Sequence, residues 1–485
     1  MKVFISYPPL ESKKGIAQIG QNRQFQWFVK HSVIYPMVPA YAATLLAKNG
    51  YNVFWDDAIA KKEDYQTWFN RIISEKPEVI TIETKTPVIK MHWKLINKIK
   101  KILPESKIIL MGDHVTAFPE ESMKNCSVDF VITGGDYDFL VLSICNYLSG
   151  KIKKLESGIY YRKKNKIKTT GKFELLHDLN SLPQIDRELT RWDLYKENGN
   201  YKYLPGTYTM AGRDCWWGKC KFCSWPSLFP KYRTRKPELL FEEIKNLVEN
   251  YGVREVMDDT GTFPIGNWLK RFCELMIKSG LNKKVKISCN MRFDALRKED
   301  YILMKKAGFR FLLFGLESAN QETLDKIDKG VKVNKIEESC RWAKEAGLNP
   351  HITVMMGYPW ENYQMAQKTI NFAKNLFEKG YADTLQATIV MPYPNTSLYR
   401  ECLKNNWLDV KPGEWEKFDM RQRIMKSPLT EKQIKNLTSS LYRLAFTPKF
   451  IFRQIIQIKS IDDIKYLLRA FKSVVGKHLK DFSKD

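Results

Sequence analysis

The sequence predicts an α/β protein in which a doubly wound parallel sheet is followed by a partial (βα)6 barrel and a helical C-terminal segment. Two series of short apolar segments alternate with amphipathic ones along the 485 residues, and a lysine-rich stretch separates the two series. A basic helical pattern ends the chain. The expected boundaries are residues 1–150, 151–200 (a linker), 201–420 and 421–485.

The first series contains five strand candidates, which are KVFIS, YNVFWDD, EVITIET, KIILMG and DFVITGG. The first helical pattern between them begins near Pro39 and ends at Gly50, as helix start and stop signals require. Ligands of doubly wound sheets bind beyond the carboxyl ends of the strands. We therefore expect a crevice formed by residues 84–87, 112–118 and 133–138. No G-x-G-x-x-G motif follows a strand, so the sequence does not indicate that this crevice binds a dinucleotide.

Residues 151–200 combine a lysine-rich hairpin pattern with an irregular connector, and we interpret them as a solvated linker. The second series then supplies six strand candidates, at residues 208–213, 254–259, 284–290, 309–317, 351–357 and 385–392. Helical patterns separate these strands, as in a partial barrel. In barrels of this type the chemistry lies at the carboxyl ends of the strands.

The composition limits where the protein works. No run of 18 apolar residues is present, and the first nine residues lack the pattern of a secretory signal. Nine scattered cysteines form no disulfide framework and suit a reducing compartment, so we expect a cytoplasmic protein. The net charge of +26 is compatible with nucleic acid, a membrane surface or an anionic ligand.

Three cysteines, Cys215, Cys220 and Cys223, follow the first barrel strand in the segment AGRDCWWGKCKFCSWP. A structural zinc site needs a fourth Cys or His, and none lies between His177 and Cys273. The C-x4-C-x2-C spacing also matches three ligands of a plant-type [2Fe-2S] cluster, whose fourth ligand would have to be Cys273 in a predicted helix. Unpaired structural cysteines are a further alternative. A [4Fe-4S] cluster with three protein ligands and one open iron explains the spacing best.

Four further motifs, DDTGTF, CNMRFD, FGLESAN and MMGYPWE, each follow a predicted strand. Together with the cysteine motif they resemble the radical S-adenosylmethionine superfamily, and with the N-terminal domain its cobalamin-binding branch, over about residues 1–420. The resemblance implies that the open iron chelates S-adenosylmethionine, which one electron cleaves to a 5'-deoxyadenosyl radical. The commonest family spacing, C-x3-C-x2-C, is one residue shorter than the spacing found here.

The resemblance also implies the residues that bind S-adenosylmethionine. Each has a structural alternative as a core aromatic, a helix cap or a surface ion pair. The candidates are Phe222 beside the adenine, Asp258, Asp259 and Thr260 at the amino group, Asn290, Arg292, Glu317 and Ser318 at the ribose and carboxylate, and Gly357 at the exit of the fifth strand.

For the N-terminal domain the resemblance implies a flavodoxin-like, cobalamin-binding fold. The D-x-H-x-x-G motif that supplies a histidine to cobalt is absent, because Asp113 directly precedes His114 in GDHVTAF. Glycines allow close approach of the backbone to the corrin, and hydroxyl and imidazole groups can bind its amides. The candidates are Thr84, Thr86, Gly112, His114, Thr116, Gly134 and Gly135, and His114 is equally compatible with a loop residue that binds nothing.

A corrin facing the mouth of the barrel implies a radical C-methyltransferase that acts on an unactivated carbon. Alternatives are a cyclase or rearrangement enzyme without net methylation, and a cobalamin and iron–sulfur sensor without catalysis. The expected partners are a small-molecule or lipid substrate and an external electron donor of the ferredoxin or flavodoxin type.

Residues 421–485 carry 15 lysine and arginine against five aspartate and glutamate residues. Their last helical pattern, residues 460–475, is amphipathic, and the aromatic and aliphatic residues before it are interleaved with basic ones. The simpler interpretation is that the apolar face docks on the barrel. Our hypothesis is that this segment brings the barrel mouth to a membrane, where the substrate is a lipid or isoprenoid. Nucleic acid would explain the charge but not the density of Phe and Ile.

Overall fold

The computed structural model describes residues 1–19, 25–28, 31–164, 166–197, 201–444 and 447–473. Two mainly parallel sheets follow one another along the chain, which confirms the predicted α/β class and the order of its parts. None of the helices in these residues is long and apolar enough to cross a membrane.

The first sheet has seven strands in the order β4-β1-β5-β6-β7-β8-β9. The five predicted strands are all present and pair in parallel, because their apolar runs are covered by helices on both faces. A separate two-stranded hairpin, β2 and β3, precedes α1. The strands are β1 Lys2–Tyr7, β2 Ile16–Gln18, β3 Gln26–Phe28, β4 Asn52–Asp57, β5 Val79–Thr84, β6 Lys107–Gly112, β7 Phe130–Ile132, β8 Ile159–Lys163 and β9 Lys166–Thr169.

The hairpin β8–β9 belongs to this sheet, so the interpretation of residues 151–200 as a solvated linker is wrong for 159–169. β8 pairs antiparallel with β7 and buries Ile159 against it. An uncovered β7 would expose a row of backbone donors and acceptors, and the hairpin satisfies them. Seven helices surround the sheet: α1 Met37–Lys48, α2 Ala58–Lys61, α3 Tyr65–Glu75, α4 Ile89–Ile102, α5 Asp113–Ala117, α6 Pro119–Asn125 and α7 Tyr137–Leu148.

The second sheet is a half-barrel of six parallel strands that are neighbours in chain order. The strands are β10 Gly206–Thr209, β13 Glu255–Asp258, β14 Lys286–Met291, β15 Phe309–Glu317, β16 Asn349–Met356 and β17 Thr384–Ile389. The helices between them are α8 Trp225–Leu228, α9 Pro237–Tyr251, α10 Asn267–Lys278, α11 Leu281–Lys284, α12 Lys298–Lys306, α13 Gln321–Lys326, α14 Val333–Glu345, α15 Tyr363–Lys379 and α16 Ser397–Lys404.

The first predicted strand of the barrel is split in two. β10 ends at Thr209, and residues Gly212–Arg213 form β11, which pairs with β12, Arg233–Thr234, outside the main sheet. The N–H of Ala211 donates to Asp258 Oδ2 at 2.8 Å instead of to a strand. This bond turns the chain out of the barrel just before the first cysteine.

Three helices end the described chain: α17 Glu431–Arg443, α18 Pro448–Ile456 and α19 Ile461–Ser473. The predicted amphipathic helix is present as α19, although its last two positions, Val474 and Val475, lie outside the described residues. α19 is joined to the amino ends of the barrel strands by ion pairs of Arg254 with Asp462 (2.7 Å) and of Lys202 with Asp463. The cysteines lie at the carboxyl ends of the barrel strands, whereas α19 lies at their amino ends. The hypothesis that this helix brings the barrel mouth to a membrane is therefore wrong about which end of the barrel the helix adjoins.

A buried polar cluster joins the linker, the first domain and the barrel. Glu243 on α9 accepts from Arg187 at 3.0 Å and from Arg235 at 2.5 Å, and Arg235 also donates to the hydroxyl of Tyr41 on α1 at 2.8 Å. All four side chains are buried. One carboxylate thus compensates two guanidinium groups that have lost their hydration.

Replacing Glu243 tests this compensation. Glu243→Ala leaves two buried positive charges, so we expect a loss of about 3–5 kcal/mol in the free energy of unfolding, measured by denaturant titration. The neighbouring Glu242 is exposed, and Glu242→Ala should leave stability within about 0.5 kcal/mol of the wild type. Equal stability of the two variants would contradict the role given to Glu243.

Candidate active site

The three cysteines lie in one loop directly after β11, and all three residues are half-buried. The loop is supported from below by residues 258–262. A Cβ on Gly261 would lie 2.9 Å from the Asp214 carbonyl oxygen, so only glycine allows this close approach. The hydroxyl of Thr262 then lies 2.9 Å from Cys215 Sγ.

The four residues between Cys215 and Cys220 are accommodated by a turn at Gly218, whose φ is +61°. Trp217 donates to the carbonyl of Asp328 at 2.8 Å, and its indole ring packs on Gly330, where a side chain would overlap it. The Arg292 guanidinium also lies over this ring, 4.7 Å from its centroid. The longer spacing thus gives the loop an anchoring tryptophan.

Positive charge surrounds the thiols. Burial raises the pKa of the Cys220 thiol, while the Lys329 ammonium and the Arg292 guanidinium oppose that rise. Arg292 Nη1 lies 3.7 Å from Cys220 Sγ. Burial, followed by the charge of Cys220, raises the pKa of the Cys223 thiol well above its ordinary value. Two cations beside closely spaced thiols favour the thiolate form that metal binding requires.

The donor set fits an iron–sulfur cluster with three protein ligands. Three thiols in one loop, with two cations beside them, match the chemistry of thiolate ligation. Two groups in the same loop, Asp214 Oδ1 and Trp216 Nε1, are buried without a hydrogen-bond partner among the described residues. Within the same residues, no three Cys, His or acidic side chains are arranged to hold a single metal ion.

Some of the predicted S-adenosylmethionine residues lie beside the cysteines. Glu317 ends β15 in a left-handed backbone conformation with φ +62°, which is uncommon for a residue other than glycine. Its carboxylate binds Lys329 Nζ at 2.8 Å, and this ammonium lies 5.8 Å from the centroid of the Phe222 ring. Glu317, Phe222 and Arg292 therefore lie at one side of the cysteine loop.

Other predicted residues position the backbone around the loop. Asp258 accepts from Thr209 and Ala211, and burial raises the pKa of its carboxyl to about 6. Thr260 accepts from the N–H of Gly212 at 2.9 Å, and Asn290 donates to the Thr260 carbonyl at 2.8 Å.

The remaining three predicted residues lie around this group. Asp259 is buried, and its N–H donates to the Thr209 carbonyl at 2.8 Å. Gly357 has φ +94° at the end of β16. Ser318 instead donates to Glu361 at 2.7 Å in a separate polar cluster with Asn320 and Thr369.

Lys329 was not predicted. It is buried, its Nζ binds Glu317, and its carbonyl accepts from Arg292. Nothing in the sequence distinguishes it from the other lysines of this basic chain, because its role arises only when the segment after α13 folds back over the cysteine loop.

In the first domain, the structure brings the three predicted loops together. The N–H of Gly134 donates to the hydroxyl of Thr116 at 3.1 Å, and that hydroxyl donates to the Gly112 carbonyl at 2.7 Å. Gly112 has φ +136° and lies so close to Thr84 that a side chain would overlap the Thr84 carbonyl. Gly135 packs against Phe229 of the barrel domain.

His114 is buried in this region among Trp93, Phe118 and Trp415. Its Nε2 lies 3.0 Å from Glu121 Oε2, and its Nδ1 lies 3.4 Å from the hydroxyl of Thr86. Thr84 binds a second histidine, His92, at 2.8 Å. The structure thus gives His114 partners within the protein.

A second set of buried polar groups at these loops was missed. Tyr7 donates to Glu83 at 2.5 Å, and Lys85 Nζ lies 3.5 Å from the other oxygen of Glu83. The hydroxyls of Tyr137 and Tyr393 have no hydrogen-bond partner among the described residues. Tyr393 follows β17, so both domains contribute. Buried hydroxyls without partners fit a ligand that carries many amides, as the corrin does.

The two loop regions are joined directly. Arg213, two residues before Cys215, is buried between two carboxylates of the first domain: its Nη1 lies 2.6 Å from Asp136 Oδ1, and its Nη2 binds Asp138. Arg233 on β12 binds the same Asp136 oxygen at 2.7 Å. The crevice of the first sheet therefore faces the cysteine loop.

Residues 211–373 match the family model described as the radical SAM superfamily. This range contains the cysteine loop and the carboxyl ends of β13 to β16. These residues therefore form a radical S-adenosylmethionine domain. A protein of Pyrococcus horikoshii named an uncharacterized methyltransferase is 26% identical over 469 residues, which are 94% of this chain and 95% of that protein. The anaerobic magnesium-protoporphyrin IX monomethyl ester cyclase of Cereibacter sphaeroides is 24% identical over 431 residues, 86% of this chain and 68% of that enzyme.

The overall fold is similar to that of a solved methyltransferase structure. The structure of the radical S-adenosylmethionine methyltransferase TsrM from Kitasatospora setae, with cobalamin and a [4Fe-4S] cluster bound, matches with a TM-score of 0.68 and 13% identity, covering 91% of this chain and 88% of that one. The similarity confirms the predicted fold of a doubly wound domain followed by a partial barrel. The cluster and S-adenosylmethionine predicted from the sequence are the cofactors of the matched superfamily.

Cysteine variants test the ligand set. Because three ligands leave no redundancy, Cys215→Ala, Cys220→Ala or Cys223→Ala should each remove the iron–sulfur absorption of the anaerobically reconstituted protein. Cys273 is buried in the core of α10, and Cys273→Ala should keep the full absorption and iron content. Loss of the cluster in Cys273→Ala would revive the four-cysteine alternative.

Proposed function

We propose that the protein is a cobalamin-dependent C-methyltransferase that acts on an unactivated carbon of an apolar substrate. The observation that carries the proposal is the buried contact of Arg213 with Asp136 and Asp138, which joins the cysteine loop to the crevice of the first sheet. A methyl donor held in that crevice would face a substrate radical formed beside the cysteines.

In this proposal each group of residues has a defined role. Cys215, Cys220 and Cys223 would hold the cluster, and Arg292 and Lys329 would balance its negative charge. Phe222 and Glu317 would bind S-adenosylmethionine beside it, and the glycines of the first domain would admit the corrin. When bound, the cluster supplies the electron that cleaves S-adenosylmethionine, and cobalamin supplies the methyl group. The reducing electron comes from a separate ferredoxin or flavodoxin.

The polar side chains around the cysteine loop hold the backbone of the proposed reaction site in place. Asp258, Thr260 and Asn290 direct their hydrogen bonds to backbone groups of the two loops. They keep the loops rigid, which favours transfer between groups held at fixed positions. The Arg292 guanidinium lies 5.4 Å from the centroid of the Trp216 ring and 4.7 Å from that of the Trp217 ring, and these contacts help to fix it beside Cys220.

The similarity to a cyclase favours a second candidate, a radical cyclisation without net methylation. The two reactions begin in the same way and differ only in whether a methyl group appears in the product. A sensor without catalysis would release no 5'-deoxyadenosine.

Isotope transfer separates these candidates. Reduced, reconstituted protein should release 5'-deoxyadenosine and move the deuterated methyl group of labelled S-adenosylmethionine into a compound of a total lipid extract, measured by mass spectrometry. Cys220→Ala should lose both signals, whereas Cys273→Ala should keep them. Release of 5'-deoxyadenosine without label in any product would favour cyclisation, and no release would favour the sensor.

We also propose that α18 and α19 contact an anionic membrane surface. Of the fifteen large hydrophobic side chains that are exposed in the described residues, eight lie between Ile451 and Phe471. Exposed Lys449 lies just before this stretch, and exposed Lys459 and Lys465 lie within it. Apolar groups interleaved with lysines are typical of an interfacial segment, and each lysine near anionic lipid contributes about 1 kcal/mol.

Vesicle binding tests this contact. Phe452 and Ile456 are 65% and 62% exposed, so the double variant Phe452→Asp/Ile456→Asp should bind phosphatidylglycerol vesicles at least about tenfold more weakly than the wild type, which is a loss of about 1.4 kcal/mol. Leu176 is equally exposed elsewhere, at 61%, and Leu176→Asp is the matched control. Wild-type binding should fall in high salt and be weak on phosphatidylcholine. Equal binding by the double variant would refute the contact.

A further inference from the structure

A cavity of about 480 Å³ lies inside the half-barrel at the amino ends of its strands. The strands contribute residues near their beginnings, among them Glu255, Arg310, His351 and Thr384. The helices α18 and α19 cover it from below. The cysteine loop follows the opposite ends of the same strands, so this cavity is separate from the candidate active site.

The lining is apolar with a few fixed polar groups. Phe311, Leu313, Phe450 and Leu467 contribute large apolar surfaces. The charged groups of the lining are compensated within the protein: Arg310 binds Glu255 at 2.5 Å, and Lys202 binds Asp463. Cavities of this size and character bind small apolar molecules.

Two polar atoms of the lining have no hydrogen-bond partner among the described residues: the Tyr201 hydroxyl and His351 Nε2. Tyr201 is buried. Burial lowers the pKa of His351 to about 3, so its ring is neutral at physiological pH. The interior thus offers neutral polar groups rather than an uncompensated charge, which favours an uncharged group over a phosphate or carboxylate as the buried part of a ligand.

The cavity opens between α18 and α19. Ile451, Ile455 and Phe471 line it and are also 44%, 58% and 58% exposed, so they form its rim. Both helices are anchored beside this opening, because Arg453 donates to the carbonyl of Phe377 and Arg469 donates to the carbonyl of Tyr201 at 3.1 Å. A hydrocarbon chain entering here would move from one apolar surface to another.

We propose that this cavity takes up one hydrocarbon chain of an anionic membrane lipid, while the headgroup stays outside beside the lysines of α18 and α19. The apolar interior would bind the hydrocarbon chain, and the exposed basic residues would bind the anionic headgroup. Exposed Lys459 follows α18, and exposed Lys465 lies on α19. The inference rests on the membrane contact proposed above, but a free fatty acid can test it without a membrane.

The test is titration of the full-length protein with cis-parinaric acid, an anionic single-chain probe that fluoresces in apolar surroundings. The wild type should bind it saturably at one site per chain. Ala470 on α19 and Gln454 on α18 both line the cavity, and a tryptophan at either position fills it from a different wall. Ala470→Trp and Gln454→Trp should each weaken binding at least about tenfold. The matched control Ile464→Trp, on an exposed residue of α19 outside the cavity, should bind like the wild type.

Absence of saturable binding by the wild type, or undiminished binding by both cavity variants, would overturn the proposal. Near-ultraviolet circular dichroism shows whether each variant keeps its fold, and the second variant serves if one does not. Phe452→Asp/Ile456→Asp changes residues outside the cavity and should keep parinarate binding even if vesicle binding is lost. Cys220→Ala should also keep it, so failure of the proposed reaction and failure of this site give different results.

Discussion

The buried ion pairs of Arg213 determine how the two halves of this protein work together. The Arg213 guanidinium has lost its hydration, and the carboxylates of Asp136 and Asp138 compensate its charge. Asp136 also holds Arg233, and the two guanidinium groups lower the pKa of its carboxyl although burial opposes this. Separating the domains would leave uncompensated charges in a medium of low polarity, at a cost of several kcal/mol. The cysteine loop and the crevice of the first sheet are therefore fixed opposite one another.

The sequence correctly predicted the structural features that depend on residues close together in the chain. The strands of the first sheet are covered on both faces and so occur as continuous apolar runs. The order of the barrel strands along the chain is also their order in the half-barrel. Candidate residues such as Glu317 and Arg292 could be located because each lies at the carboxyl end of a strand. The cysteine spacing identified the loop because few structures other than a metal centre require three thiols within nine residues.

The features that escaped prediction depend on contacts between distant segments. β8 and β9 complete a sheet whose other strands end before residue 133, and the sequence of a hairpin does not show which edge it covers. Lys329 has a role only because the fold places it beside Glu317 and Cys220. The surroundings of Tyr393 likewise include groups of the first domain, more than 200 residues away along the chain. The amphipathic pattern of α19 indicated correctly that one face is apolar. The pattern did not show at which end of the barrel α19 lies. The ion pairs of Arg254 and Lys202 with α19 determine that position.

The two ends of the half-barrel differ in physical character but share the same strands. At the carboxyl ends, buried charges are matched in pairs and the polar side chains bind backbone, so little can move without breaking a compensated contact. At the amino ends, the walls are apolar and the surface beyond them exposes isoleucine and phenylalanine. Met257 lines the cavity, and the next residue, Asp258, holds the N–H of Ala211 where the chain turns toward the cysteines. A molecule that fills the lower cavity therefore packs against the strands that position the cysteine loop.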